Sequence, residues 1–168
     1  MTSIPLSLRI TRLEATHLAD LIDQFADLVA DGSEPDDDPA VLRLVPDAYA
    51  DDPEAAREFR DVTERDLLSR RHHDARLVRA SLAPAATLPS VTDAGAQGWE
   101  EVELVLDPDA VQAWMRTLAA VRLVIATRLG ITDEDQHDDD DPRFGVYDWL
   151  GYRLEGLVRA IESSRTDE

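Results

Sequence analysis

The chain has 168 residues, 43% of them apolar, enough for one compact domain with a buried core. It carries 36 acids against 17 bases, all arginine, for a formal net charge of -19, and such a chain is a poor ligand for nucleic acid, whose phosphates need a basic face. It has no cysteine, which excludes disulfides, thiolate zinc sites, cysteine nucleophiles and thiol redox switches.

Residues 6–12 alternate apolar and polar, which predicts a short half-buried strand. A helix is predicted from about Glu14 to Asp31, with Leu18, Leu21, Ile22, Phe25, Leu28 and Val29 on one stripe and Gly32 as its stop. An acidic loop over 32–38 follows. Asp38 and Pro39 then read as N-cap and first position of a short helix through Val41, Leu42 and Val45, ended by Pro46. Asp52 and Pro53 repeat the signal and open a helical region to about Ala83. Its apolar phase shifts between Phe59 with Val62 and the later set Leu67, Leu68, Ala75, Val78 and Leu82. A break is therefore expected near Thr63, which would cap a new helix with Asp66 three residues on.

Pro84, Pro89, Gly95 and Gly98 predict a flexible loop over 84–98. Val102, Leu104 and Leu106 alternate with Glu101 and Glu103, a second strand able to pair with the first. Asp107 and Pro108 open a helix that runs to Leu129, striped by Val111, Trp114, Met115, Leu118, Val121, Ile125 and Leu129, with Gly130 as its stop. An acidic loop covers 132–142. The last helix runs from about Phe144 to Ser163, striped by Tyr147, Leu150, Leu154, Leu157, Val158 and Ile161, and residues 164–168 should fray. The expected architecture is a single mainly α domain over 1–168, a bundle of about five helices with a small two-stranded β ribbon.

The start MTSIPLSLRI lacks a basic segment followed by a long apolar run, so it is not expected to act as a signal peptide. No apolar stretch approaches the ~18 residues that span a bilayer, no membrane role is expected, and a cytoplasmic location follows.

Catalytic and metal motifs are sparse. Glu14 and His17 form one Glu-x-x-His, where a di-iron bundle needs two and two further carboxylates. Counted from Asp133, the acidic loop has Asp138 where a calcium loop needs glycine and Phe144 where it needs glutamate, which leaves a solvated loop with at most weak divalent binding. There is no nucleophile elbow, phosphate loop or dinucleotide fingerprint. No catalytic residue, metal ligand or cofactor is assigned.

Four residues are candidates for partner binding: Arg122, Trp149, Tyr152 and Arg71. Arg122 sits in the apolar stripe one turn from Leu118 and Ile125, where a guanidinium is costly unless paired. It reads either as an ion pair or snorkelling stem, or as an anion- or partner-binding group. Arg71, on the stripe of Leu67, Leu68, Ala75 and Val78, reads in the same two ways. Residues 57–79 hold seven arginines and five interleaved acids, either a face of i,i+4 pairs or a docking face. Trp149 and Tyr152 fall off the stripe of the last helix and either pack under a loop or the ribbon or form an aromatic interface patch.

The strings DDPEAAREFRDVTE (51–64), WMRTLAAVRLVIATRLGI (114–131) and YDWLGYRLEGLVRAI (147–161) resemble an actinobacterial family, the domain-of-unknown-function family numbered two thousand and seventeen. Arg122, Arg128, Trp149 and Gly151 match the family strings. The resemblance implies genes that often lie beside the one for ClpS, the adaptor of the Clp protease, and near sulfur and cysteine metabolism genes. It also implies ties, in some members, to oxidative-stress transcription through cysteines and a sigma factor. This chain lacks the cysteines, so thiol sensing does not carry over. The resemblance transfers no catalytic residues.

The expected function is a non-enzymatic regulatory or adaptor role through protein–protein contact, in stress-linked transcription, with a sigma factor or polymerase component as partner. The alternatives are a Clp-linked adaptor, or an enzyme with carboxylates and Arg122 lining a bundle pocket. A DNA-binding regulator would need the 57–79 face to be continuously positive.

Overall fold

The computed structural model describes residues 4–30, 38–45, 51–92, 94–131, 138 and 140–166. In chain order these form β1 (Leu6–Thr11), α1 (Arg12–Val29), α2 (Pro39–Leu44), α3 (Pro53–Leu82), a 3-10 turn (Gly95–Trp99), β2 (Glu101–Leu106), α4 (Pro108–Leu129), a second 3-10 turn (Pro142–Phe144) and α5 (Gly145–Thr166). The molecule is a mainly α bundle with a two-stranded antiparallel ribbon, as the sequence pattern implies.

Capping explains where the helices begin. Asp38, Asp52 and Asp107 each stand before a proline at the first helical position, and each accepts a backbone N–H of the first turn. Thr11 closes α1 with a full capping box: its hydroxyl accepts from Glu14 N–H while the Glu14 carboxylate accepts from Thr11 N–H. α4 ends at Gly130, whose φ of 73° is left-handed, with its N–H turned back to the carbonyls of Ala126 and Thr127.

In the ribbon Leu6 faces Leu106, Leu8 faces Leu104 and Ile10 faces Val102. Period-2 alternation turns Ile10, Leu104 and Leu106 into the core and leaves Ser7, Arg9, Glu103 and Val105 outside. Helix α4 is central and packs against α2, α3 and α5, while α1 packs against α3. The main core is a cluster in which Ile22, Leu18, Val78, Leu82, Leu118, Trp114, Leu150 and Leu157 are all buried, and a smaller one joins Ala126, Ile131 and Phe144 at the end of α4.

Several expectations are corrected. α3 is one unbroken helix of 30 residues, with no second cap at Thr63. The Thr63 hydroxyl instead donates to the Phe59 carbonyl one turn back. The Val62 side chain lies outside the described residues; its stripe partner Phe59 is 38% exposed, and steady apolar burial in α3 begins near Leu68. Within the described part of 84–98, Ala85 is fully buried and Gly98 packs inside a 3-10 turn, local structure that the loop expectation did not include. Arg12 ties it down, donating to the Pro84 carbonyl and the Thr87 hydroxyl while pairing with Glu100. The last helix extends to Thr166, three residues beyond the expected end at Ser163. Gly32, most of the 32–38 loop and most of the 132–142 loop lie outside the described residues.

Candidate functional site

Two of the four candidate residues, Arg122 and Trp149, pack where α5 meets its neighbours, and Tyr152 lies on the same helix. Arg122, on α4, donates from Nε to the Tyr147 carbonyl at 3.2 Å and sets its guanidinium 3.9 Å from the centre of the Tyr147 ring. Among the described residues no carboxylate pairs with it. The ring and carbonyl take the place of the expected ion pair. Gly151 makes the approach possible: a Cβ there would lie 3.1 Å from both Nε and Nη2 of Arg122.

Trp149 is half-buried. Its indole N–H donates to Glu14 Oε1 at 3.1 Å, and its ring stacks on His17 with centroids 6.3 Å apart and planes inclined by 11°. Arg153, one turn later, pairs with Glu14 Oε2 and donates to the Arg9 carbonyl on β1 at 3.1 Å. Glu14 is therefore a hub joining the start of α1 to α5 and, through Arg153, to the ribbon. Burial works to raise its pKa, but the Thr11 N–H, Arg153 and Trp149 outweigh that and hold the carboxyl below its ordinary value. These contacts engage both oxygens of the Glu14 carboxylate. Tyr152, between Trp149 and Arg153 in sequence, is 69% exposed.

Arg71 lies elsewhere. It lines a groove of about 910 Å³ between α1, α3 and α4, with Phe25, Leu67, Arg116, Thr117 and Leu123 among the walls. Its Nη2 donates to the Leu44 carbonyl at 3.3 Å. Burial pulls its pKa down, against the opposing pull of Asp74. Asp74 itself is held by Arg116 in a two-pronged pair at 2.8 and 3.1 Å. Of the seven arginines of 57–79, Arg70 pairs with Asp66 one turn away, Arg79 reaches Asp23 on α1, and Arg71 turns inward to the Leu44 carbonyl.

Sequence reading missed Glu14 and Arg153 as partners, 139 residues apart, and nothing local marks them. It also made nothing of Trp99, which ends a 3-10 turn and is 73% exposed.

The fold and these contacts define a small helical bundle protein with no cluster of three or more metal-ligating side chains among the described residues. The chain belongs to the family described as Domain of unknown function (DUF2017), whose model matches residues 3–161. No curated protein and no solved structure matches it.

Two glycines of α5 have opposite expected effects. In Gly151→Ala the new methyl group forces the Arg122 guanidinium, held by the Tyr147 carbonyl and ring, to shift by a few tenths of an ångström, and a loss of about 1 kcal/mol is expected despite the better helix propensity of alanine. At Gly156 an added Cβ meets nothing, so Gly156→Ala should stabilise the isolated chain by about 0.8 kcal/mol. Urea midpoints of the two variants, against the parent chain, check both signs.

Proposed function

We propose that the chain is a non-enzymatic, cytoplasmic regulatory or adaptor protein that presents one face of α5 to a protein partner. The observation that carries this reading is the pairing of Tyr152 and Gly156 on that face. Tyr152 is 69% exposed, and an exposed tyrosine is the amphipathic ring most often used in interfaces. Gly156 lies one turn further along the same face, is exposed, and touches nothing that would need it to be glycine. A mid-helix glycine costs about 1 kcal/mol relative to alanine, so its use here fits a helix that another backbone approaches closely.

The rest of α5 is held fast. Arg122 grips Tyr147, and Trp149 and Arg153 are tied to Glu14. A face presented on a fixed helix loses little freedom on binding, which favours affinity. The net charge of -19 favours a basic partner surface. The actinobacterial setting implied by the family resemblance suggests two partner classes. A sigma factor or polymerase component, in oxidative-stress transcription, comes first, and a component of the Clp system second.

Capture on the immobilised chain from native lysate, at low and at moderate salt, tests the reading. Sigma factor or polymerase subunits that fade as salt rises support it. Recovery of ClpS or Clp subunits puts the adaptor reading in its place, and a blank at both salts contradicts partner contact altogether.

A further inference from the structure

The groove between α1, α3 and α4 has no part in the α5 contact and is independent of that reading. Its floor and walls are mainly apolar, from Phe25, Leu67, Ala119, Ala120 and Leu123. Its volume of about 910 Å³ falls in the range of small-molecule sites. Its charge is opposite to that of the protein. In a chain of net charge -19 the groove is lined by Arg70, Arg71 and Arg116, with Asp74 the one carboxylate among its described lining residues.

Two polar groups here lack partners. Thr117 is 2% exposed, and its buried hydroxyl makes no hydrogen bond, although a helical threonine can usually turn to the carbonyl one turn back. The Nε of Arg71 is buried without an acceptor as well. Of the five N–H donors of that guanidinium, the only hydrogen bond among the described residues runs to the Leu44 carbonyl. Its neighbouring carboxylate is unavailable, because Arg116 holds both Asp74 oxygens. Arg70 is satisfied by Asp66 on its own helix. What remains is a half-buried cation and a buried hydroxyl with unmet hydrogen-bonding capacity, beside an apolar trough. Leaving such groups unpaired is costly, and an anionic acceptor would relieve both.

We propose that this groove binds a small amphipathic carboxylate, its head group on Arg71 and Thr117 and its apolar body along Phe25, Leu67 and Leu123. A monoanion matches Arg71, which makes no ion pair among the described residues and feels Asp74 only at longer range. The planar carboxylate fits the guanidinium fork, and the apolar lining excludes a fully polar anion.

The test compares octanoate with 1-octanol, which share the apolar body and differ in the head group. Each is titrated into the full 15N-labelled chain. Octanoate should bind about tenfold more tightly or better, with amide shifts concentrated in 67–74 of α3 and 116–123 of α4. Arg71→Met should abolish the preference for octanoate, and Thr117→Val should weaken octanoate severalfold while leaving octanol nearly unchanged. Equal affinity for the two probes overturns the proposal, as does octanoate binding that maps away from the groove or no binding at millimolar concentration. Should Arg71→Met fail to fold by circular dichroism, the comparison on the parent chain and on Thr117→Val decides alone.

Discussion

Trp114→Ala is expected to be the most damaging single substitution, costing about 3–5 kcal/mol of folding free energy. Trp114 is 1% exposed at the middle of the core, on the helix that packs against three others. Its indole N–H also donates to Ser81 Oγ at 2.7 Å, and Ser81 in turn donates to the Val78 carbonyl. Truncation removes the apolar contact, opens a cavity at the α3–α4 junction and leaves Ser81 with an unused acceptor. At this chain length the loss corresponds to a fall in Tm of roughly 10 °C. Trp114→Phe keeps most of the volume and loses the hydrogen bond, so it should cost about 1–2 kcal/mol. Thermal and urea unfolding of both variants separate the two contributions. A Trp114→Ala chain that melts with the parent would refute the placement of this side chain.

Glu14→Ala is expected to cost about 2–3 kcal/mol. The change removes the capping-box carboxylate of α1 and strands Arg153, whose side chain is only 16% exposed and whose Nε is already buried without a partner. The expected loss stays below that of a fully buried ion pair because the Glu14 side chain keeps 29% exposure. The carboxylate also gives the fold a pH dependence. Its pKa is lower in the folded chain than the ordinary 4.5. The stability it contributes is therefore present above that value and is lost as pH falls through the folded pKa. Asp38 beside Arg128, Asp141 beside Arg143 and Glu100 beside Arg12 are lowered as well and act in the same direction. Unfolding free energy should thus decline on acidification below pH 4.5, and Glu14→Gln should flatten that decline. An unchanged acid limb in the Glu14→Gln variant would show that the hub carries no charge-dependent stability.

Local signals carried most of the fold. The three Asp-Pro pairs mark the starts of α2, α3 and α4, Gly130 marks the end of α4, and the alternation around Leu8 and Leu104 marks the ribbon. These rest on interactions within a few residues, which sequence displays directly. The failures are non-local. The sequence points to a break at Thr63 because an apolar phase shift looks the same whether a helix breaks or merely leaves the core. The 84–98 segment reads as unstructured because what holds it, the Arg12 side chain, lies more than 70 residues upstream. At the candidate site, the stripe position of Arg122 correctly signals an unusual guanidinium but not its acceptor, a backbone carbonyl and an aromatic ring on α5. Spacing pairs Trp149 with Tyr152, whereas the structure separates them: Trp149 is tied inward to Glu14 and Tyr152 faces solvent. Arg71 sits apart from both, and only the folded groove shows that no carboxylate among the described residues pairs with it, Asp74 being held by Arg116.

The exposed face of α5 is the centre of the functional account, and one binding comparison tests it most directly. The dissociation constant for the captured partner is measured with the parent chain and with Tyr152→Ala, whose side chain is 69% exposed and whose loss should leave Tm nearly unchanged. The account predicts at least about a tenfold weakening, as expected for removal of a central aromatic anchor. Equal affinity, with the fold intact, would contradict α5 as the contact surface.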